Sequence, residues 1–272
     1  MPTTPPKLSP KALSEALISL RKTYGSLDDF PGQFPATLPE SYDVQDISRA
    51  NWDDKVYGWK VAGIGAESQA RLGAAKMTGP VFAKNVIQIP EGAAVEVDVP
   101  IFAKGFGAPE PEYMITLKDC ADLPKEGLTL EQIIGVVETV HIGVEIASGP
   151  FAKVSGDSTI SAVADFGNNW GLVLGPEIKN WRKTDLTKIE VICEIDGKEV
   201  SRGAAGAGLS GPLGSVKFLI EHHKARGHDL PAGTMVSSGA IGGVTHMKVG
   251  SRAKVSFAGH GRFDIGFFDP LA

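Results

Sequence analysis

The sequence predicts an α+β fold: a mixed, mostly antiparallel sheet structure with a small helical part at the N-terminus. Three observations carry that expectation. From about Trp52 onward the chain is a succession of short apolar runs bounded by glycine and proline, which read as strands. Asp196-Gly197, set between Ile189 to Ile195 and Lys198 to Val200, is a two-residue hairpin signal, because both central residues of a type I′ turn need positive φ. Helical periodicity is confined to a few segments, so helices are attached to sheets rather than alternating with strands. The expected division is a helical segment over residues 1–50 and a β-rich domain over residues 51–272.

Each element has its own signal. Residues 1–7 form a proline-rich leader. Ser9-Pro10 starts a helix, with serine as N-cap and proline in the first turn, and Leu13, Ala16, Leu17 and Leu20 recur at helical spacing to about Tyr24. A loop over residues 25–40 leads to a short helix from Ser41 to Ala50. Val56 to Gly63 is a glycine-bounded strand carrying Lys60, whose ammonium would ordinarily lean out to water. Glu67 to Ala75 forms a helical turn or two, and Gly79 to Phe82 is extended. Val86 to Pro90 and Ala94 to Val99 alternate apolar and polar residues, as half-buried antiparallel strands do. Thr129 with Gln132 makes a capping box for a helix running to about Val140. His141 to Ala147 is a strand, Asp165 to Trp170 a turn, and Gly171 to Gly175 a buried strand. A helix follows from Pro212 to about Lys224, then strands at Met235 to Ala240, Arg252 to Phe257 and Gly261 to Phe267.

Composition narrows the function. The 272 residues are 42% hydrophobic and 22% charged, an ordinary globular balance. The formal net charge of -5 and the dispersed lysines and arginines argue against a nucleic-acid partner. Cys120 and Cys193 lack metal-ligand spacing and are expected as buried reduced thiols. Neither a signal peptide nor an apolar run of membrane-spanning length is visible, so no membrane and a cytoplasmic location are the expectations.

The chemistry concentrates at Gly107-Ala108-Pro109-Glu110-Pro111-Glu112-Tyr113. In a strand, Glu110 and Glu112 share one face. Two such carboxylates repel unless a cation lies between them, so the pair is either a solvated strand face or part of a metal site. Glu145 sits in the apolar middle of its own strand and needs a cation or a donor. Three carboxylates with water completing the shell would form a hard-oxygen site that selects Mg²⁺ or Mn²⁺. Such a cation can chelate a 2-oxo acid and stabilise an enolate. His141 is expected to be structural. Gly206-x-Gly208-x-x-Gly211 matches a dinucleotide fingerprint formally, but the strand before it belongs to a hairpin, so the glycines read as turn and packing positions. There is no G-x-S-x-G elbow, and His222-His223 reads as a surface pair late in a helix.

The ordered set Gly58-Trp59-Lys60-Val61-Ala62-Gly63, Gly79-Pro80-Val81-Phe82, Glu110-x-Glu112, Val144-Glu145-Ile146, Val163-Ala164-Asp165 and Val173-Leu174-Gly175 resembles the fumarylacetoacetate hydrolase superfamily. Within it the chain is most similar to the 2-keto-4-pentenoate hydratase and 4-oxalocrotonate decarboxylase branch. Pro212-Leu213-Gly214, Leu230-Pro231-Ala232-Gly233 and Ser238-Gly239 extend the match over nearly the whole chain. The resemblance implies a mixed β-roll catalytic domain, with Glu110, Glu112 and Glu145 as metal ligands and Lys60 as the active-site lysine. It places Asp165 and Ser238 near the site as substrate contacts. It implies a Mg²⁺-dependent lyase, a hydratase acting on a small 2-hydroxydienoate or 2-oxo acid through a metal-bound enolate. Decarboxylation of an oxalocrotonate-like acid, acylpyruvate cleavage and a non-catalytic binding relative are the alternatives. A homo-oligomer is expected. Two positions depart from the branch: Met77 stands where hydratases often carry aspartate, and Ser148-Gly149-Pro150 replaces an Asp-Ser-Arg turn.

Overall fold

The computed structural model describes residues 5–90, 95–152 and 158–272. The start of the proline-rich leader and Ala94 lie outside them. Ser9 caps α1 (Pro10–Thr23) by accepting the Ala12 N–H. Thr37 caps α2 (Leu38–Ala50) through the Glu40 N–H, with Pro39 in the first turn. This second helix begins earlier than expected because Thr37-Leu38-Pro39 is itself a helix start.

The remaining elements are β1 (Val56–Gly63), α3 (Ala66–Leu72), β2 (Lys76–Phe82), β3 (Val86–Gln88), β4 (Val95–Pro100), β5 (Phe106–Leu117), α4 (Leu130–Val136) and β6 (Val137–Gly149). They continue with α5 (Ser158–Ala164), β7 (Asn169–Glu177), β8 (Val191–Ile195), β9 (Lys198–Gly203), α6 (Pro212–Arg226), β10 (Met235–Ser237), β11 (Arg252–Phe257) and β12 (Gly261–Phe268). A seven-stranded sheet runs β2-β1-β10-β5-β6-β7-β3 and a five-stranded one β4-β12-β11-β8-β9. Most neighbours are antiparallel, while β1 with β10, β3 with β7 and β4 with β12 are parallel. The fold is therefore α+β with mixed, mostly antiparallel sheets, as the sequence implied. One detail differs: β3 and β4 pair parallel, and in different sheets. Alternation reports half-burial and carries no information about the partner strand.

The register sorts the seven-stranded sheet into two faces. Trp59, Val61, Tyr113, Ile115, Val144, Ile146, Val173 and Val236 enter the main core, with Val255, Phe257 and Phe263 of the second sheet and Leu219 and Ile220 of α6. The opposite face carries Lys60, Glu110, Glu112 and Glu145 beside an apolar floor of Val81, Met114, Leu172, Leu174 and Met235. With both faces covered, β5 and β6 are buried along almost their whole lengths.

Pro109 and Pro111 lie inside β5, well past its start at Phe106. They are tolerated because β10 pairs only with Met114, Ile115 and Thr116. Beyond it, the 239–247 segment bonds carbonyls alone on that side, Ile241 N–H to Pro111 and Met247 N–H to Gly107. No amide is required from either proline, so their missing donors cost nothing.

Three further differences have physical causes. Helix α4 stops at Val136, because the β-branched run that follows pairs with β5 instead. Helix α5 was not expected: Thr159 to Ala164 are all buried, so it shows no polar stripe to mark a helical period. Gln45 of α2 ties it down, donating to the carbonyls of Val163 and Thr78. His223 is buried rather than on the surface, its ring edge 4.3 Å from Trp59 between centroids. Both cysteines are free and buried, as expected. Gly211 caps α6, and a Cβ there would stand 1.9 Å from the Gly206 carbonyl oxygen, which accounts for the glycine-rich approach by packing. No helix among the described residues is long and apolar enough to cross a membrane.

Candidate metal centre

Pairing of β5 with β6 sets Glu110 directly opposite Glu145, and Glu112 follows two residues on along the same face. One carboxylate oxygen from each of the three lies within 4.8 Å of the others. Lys60, on β1 opposite Gly79 of β2, reaches into the same group. Its Nζ is 2.9 Å from Glu145 Oε1 and 3.8 Å from Glu110 Oε2. All four side chains are buried, so the ammonium does not lean out to water.

Among the described residues, Glu112 and Glu145 each have one satisfied oxygen and one without a partner. Glu145 Oε1 accepts from Lys60 and from Asn169 Nδ2 at 2.8 Å, while its Oε2 has no partner. Glu112 Oε2 accepts from the Ser237 hydroxyl and from the Gly239 N–H, while its Oε1 has none. Buried carboxylate oxygens are rarely left without a partner. Three carboxylates and one ammonium leave two formal negative charges, the complement of one divalent cation. The residues thus fit a cation in oxygen number, charge and hardness.

The titration of the group reflects its burial. Glu112 is held well above the usual carboxylate range by desolvation, with the Glu145 and Glu110 charges adding to it. Burial likewise pushes Glu145 up to about 7 against the pull of Lys60. Burial alone would lower the Lys60 pKa, but the charges of Glu110, Glu145 and Glu112 outweigh it and hold the ammonium charged.

Asp165 and Ser238 are engaged elsewhere. Asp165 is buried and takes a two-pronged ion pair from Arg21 of α1. The Ser238 hydroxyl accepts the Tyr113 N–H, and it is the neighbouring Ser237 that reaches Glu112. Adjacent strand residues face opposite ways, so only the register could separate the two serines. Asn169 and Arg21 were also missed, since neither belongs to a recognisable motif. His141 bonds the Gly175 carbonyl and is structural.

Four residues along the strands from Glu110 and Glu145, Phe106 and Gly149 line a cleft of about 430 Å³ with Gly63, Met77, Asn168 and His246. At strand rise that separation is about 13 Å. Ala108 and Ala147 lie on the face between, both fully buried.

The chain is 27% identical over 244 residues to 4-oxalocrotonate decarboxylase of Pseudomonas putida, covering 88% of each. It is 26% identical over 243 residues to 2-keto-4-pentenoate hydratase of Paraburkholderia xenovorans strain LB400, covering 88% of this chain and 86% of that one. Its homologues are 4-oxalocrotonate decarboxylases and 2-keto-4-pentenoate hydratases. Among solved structures, 4-oxalocrotonate decarboxylase from Pseudomonas putida G7, complexed with magnesium and adipate, matches with a TM-score of 0.79 at 23% identity, over 97% of this chain and 100% of that one. Fumarylpyruvate hydrolase from Pseudomonas aeruginosa, in complex with Mn²⁺ and pyruvate, matches with a TM-score of 0.55 at 16% identity, over 80% and 93%. No protein-family profile matches the chain. The resemblance to the decarboxylase and hydratase branch therefore holds for fold and for sequence. Against that branch, the departing Met77 lines the cleft half-buried, and Ser148 turns its hydroxyl to the Phe106 carbonyl and the Phe102 N–H.

Proposed function

We propose that the chain is a Mg²⁺- or Mn²⁺-dependent lyase, a hydratase that adds water to a small 2-hydroxydienoate or 2-oxo acid. The observation that carries the reading is the pair of bare buried oxygens, Glu112 Oε1 and Glu145 Oε2, turned into a site with Glu110 and Lys60. Glu110, Glu112 and Glu145 would hold the cation, which when bound supplies Lewis-acid stabilisation to negative charge developing on the 2-oxo acid. Lys60 holds its ammonium at the edge of that site, where it stabilises the same developing charge. Once the glutamate charges are neutralised, its proton becomes easier to release, so Lys60 Nζ can also donate it to a substrate carbon or oxygen. Asn169 and Ser237 fix the two inner carboxylates. The apolar floor of Val81, Met114, Leu172, Leu174 and Met235 excludes water on its side of the group. The reading takes residues 1–50 as a helical segment completing a catalytic β-roll of residues 51–272.

A second reading is decarboxylation of an oxalocrotonate-like acid, and Met77 favours it. Hydration needs a group that handles a proton on the added water, and a thioether cannot do so. Loss of carbon dioxide needs only charge stabilisation and one proton donor, which Lys60 and the glutamates supply. The experiment is turnover of 2-hydroxypenta-2,4-dienoate and of 4-oxalocrotonate by the purified protein with Mg²⁺, with products identified. Water addition to the dienoate is the expected result; carbon dioxide release without hydration would install the second reading. Oxalate binding with no turnover of either acid would overturn both in favour of a non-catalytic relative.

A further inference from the structure

We propose that Arg21, from the N-terminal helix α1, is a positioning residue for the metal centre, acting on the Glu145 carboxylate through Asn169. The inference rests on the metal-site reading above. Arg21 is buried, and its guanidinium is spent entirely on one turn of the chain and the strand end beside it. Nε and Nη2 hold the Asp165 carboxylate at 2.5 and 2.9 Å. Nη2 also reaches the carbonyls of Asp165 at 2.9 Å and Ser148 at 3.4 Å, and Nη1 the carbonyl of Asn169 at 2.8 Å. A planar five-donor fork can satisfy that set, and no other side chain can.

The turn so held is unusual and touches both partners of the central ion pair. Phe166, Gly167 and Asn168 have φ of 54°, 69° and 56°, three successive left-handed residues of which two are not glycine. Such a conformation persists where its surroundings enforce it. Gly167 lies against the Lys60 stem: a Cβ added there would stand 3.1 Å from Lys60 Cδ. At the end of the turn, Asn169 donates to Glu145 Oε1 at 2.8 Å, saturating that oxygen and leaving Oε2 free as a ligand. Arg21 therefore fixes the Asn169 main chain, Asn169 fixes the carboxylate, and the helical segment completes the site from outside the β-roll. Second-sphere partners of a metal ligand typically contribute about 10–100-fold to metal affinity.

The test is Mg²⁺ and Mn²⁺ titration calorimetry, with metal-free melting temperatures, on wild type, Arg21→Gln and Leu17→Ala. Leu17 is buried on the same helix in the small apolar cluster with Leu13, Phe30 and Ala164, so its truncation loosens the helix while removing none of the hydrogen-bonding groups that hold the turn. Arg21→Gln is expected to weaken metal affinity about tenfold or more. Leu17→Ala should lower the melting temperature at least as far and leave affinity within about twofold, since it keeps the Arg21 fork on Asp165 and Asn169. Equal affinity in Arg21→Gln and wild type, or affinity falling in step with melting temperature in both variants, overturns the proposal. If Arg21→Gln does not fold, Arg21→Lys carries the same comparison, keeping charge beside Asp165 but losing the fork. A wild-type protein that binds neither metal overturns the metal-site reading itself, which is a different outcome.

Discussion

Lys60 Nζ stands 2.9 Å from Glu145 Oε1 with both side chains buried, so the lysine and a bound cation would share one carboxylate. The sharing separates their roles. Removing the ammonium in Lys60→Met takes a positive charge away from the cation's place, so Mg²⁺ affinity should rise while turnover falls at least about a hundredfold. The metal-free variant should also lose about 3–5 kcal/mol of stability, because buried carboxylates lose their counter-charge. Calorimetry, melting curves and turnover on one preparation check this. Affinity and turnover falling together would make Lys60 a support for the ligands instead.

The raised pKa of Glu145 sets a pH dependence with a definite sign. Its folded value of about 7 lies above the ordinary 4.5, so the metal-free protein gains stability from this group at low pH and loses it as pH rises through about 7. Protons and cation compete for the same carboxylate. The increase in melting temperature produced by saturating Mg²⁺ should therefore grow from pH 6 to pH 8. An increase that is flat across that range would contradict the assignment of Glu145.

The histidine pair on α6 gives the opposite sign and should ignore the metal. Burial holds His223 down to about 3 and His222 to about 4, with His228, Arg49 and Arg226 adding to it, against an ordinary value of 6.5. Their contribution is full above pH 6.5 and is lost as pH falls toward those values. His223 Nδ1 bonds the Leu219 carbonyl and its Nε2 has no partner among the described residues, so little beyond that one bond is forfeited by an apolar replacement. His223→Leu should flatten the fall in melting temperature between pH 6.5 and 4, measured with and without Mg²⁺.

Met77 lines the cleft, at a position where the resemblance leads to the expectation of aspartate. Met77→Asp should raise hydration of 2-hydroxypenta-2,4-dienoate about tenfold relative to decarboxylation of 4-oxalocrotonate. Product ratios on the two substrates measure it, and an unchanged ratio would remove this position from the choice of reaction.

The acidic centre was legible because its parts are local: a Glu-x-Glu pair within one strand, and a glutamate stranded in an apolar run. The hairpin at Asp196-Gly197 was equally readable, and both residues have positive φ. What could not be read depends on register or on distant contacts. Ser237 and Ser238 differ only in which face they meet. Asn169 lies 24 residues from Glu145 and Arg21 lies 144 from Asp165, so folding alone brings them together. The partners of β3 and β4 were hidden for the same reason, and α5 because complete burial erases the periodicity that identifies a helix.

The central claim is that Glu110, Glu112 and Glu145 hold a catalytic divalent cation. Glu112→Gln tests it most directly, because the substitution keeps the side-chain shape and removes one charge from the site. Titration with Mg²⁺ and assay on 2-hydroxypenta-2,4-dienoate should show metal affinity reduced about tenfold or more and turnover lost with it. Full metal affinity together with full turnover in Glu112→Gln would contradict the account.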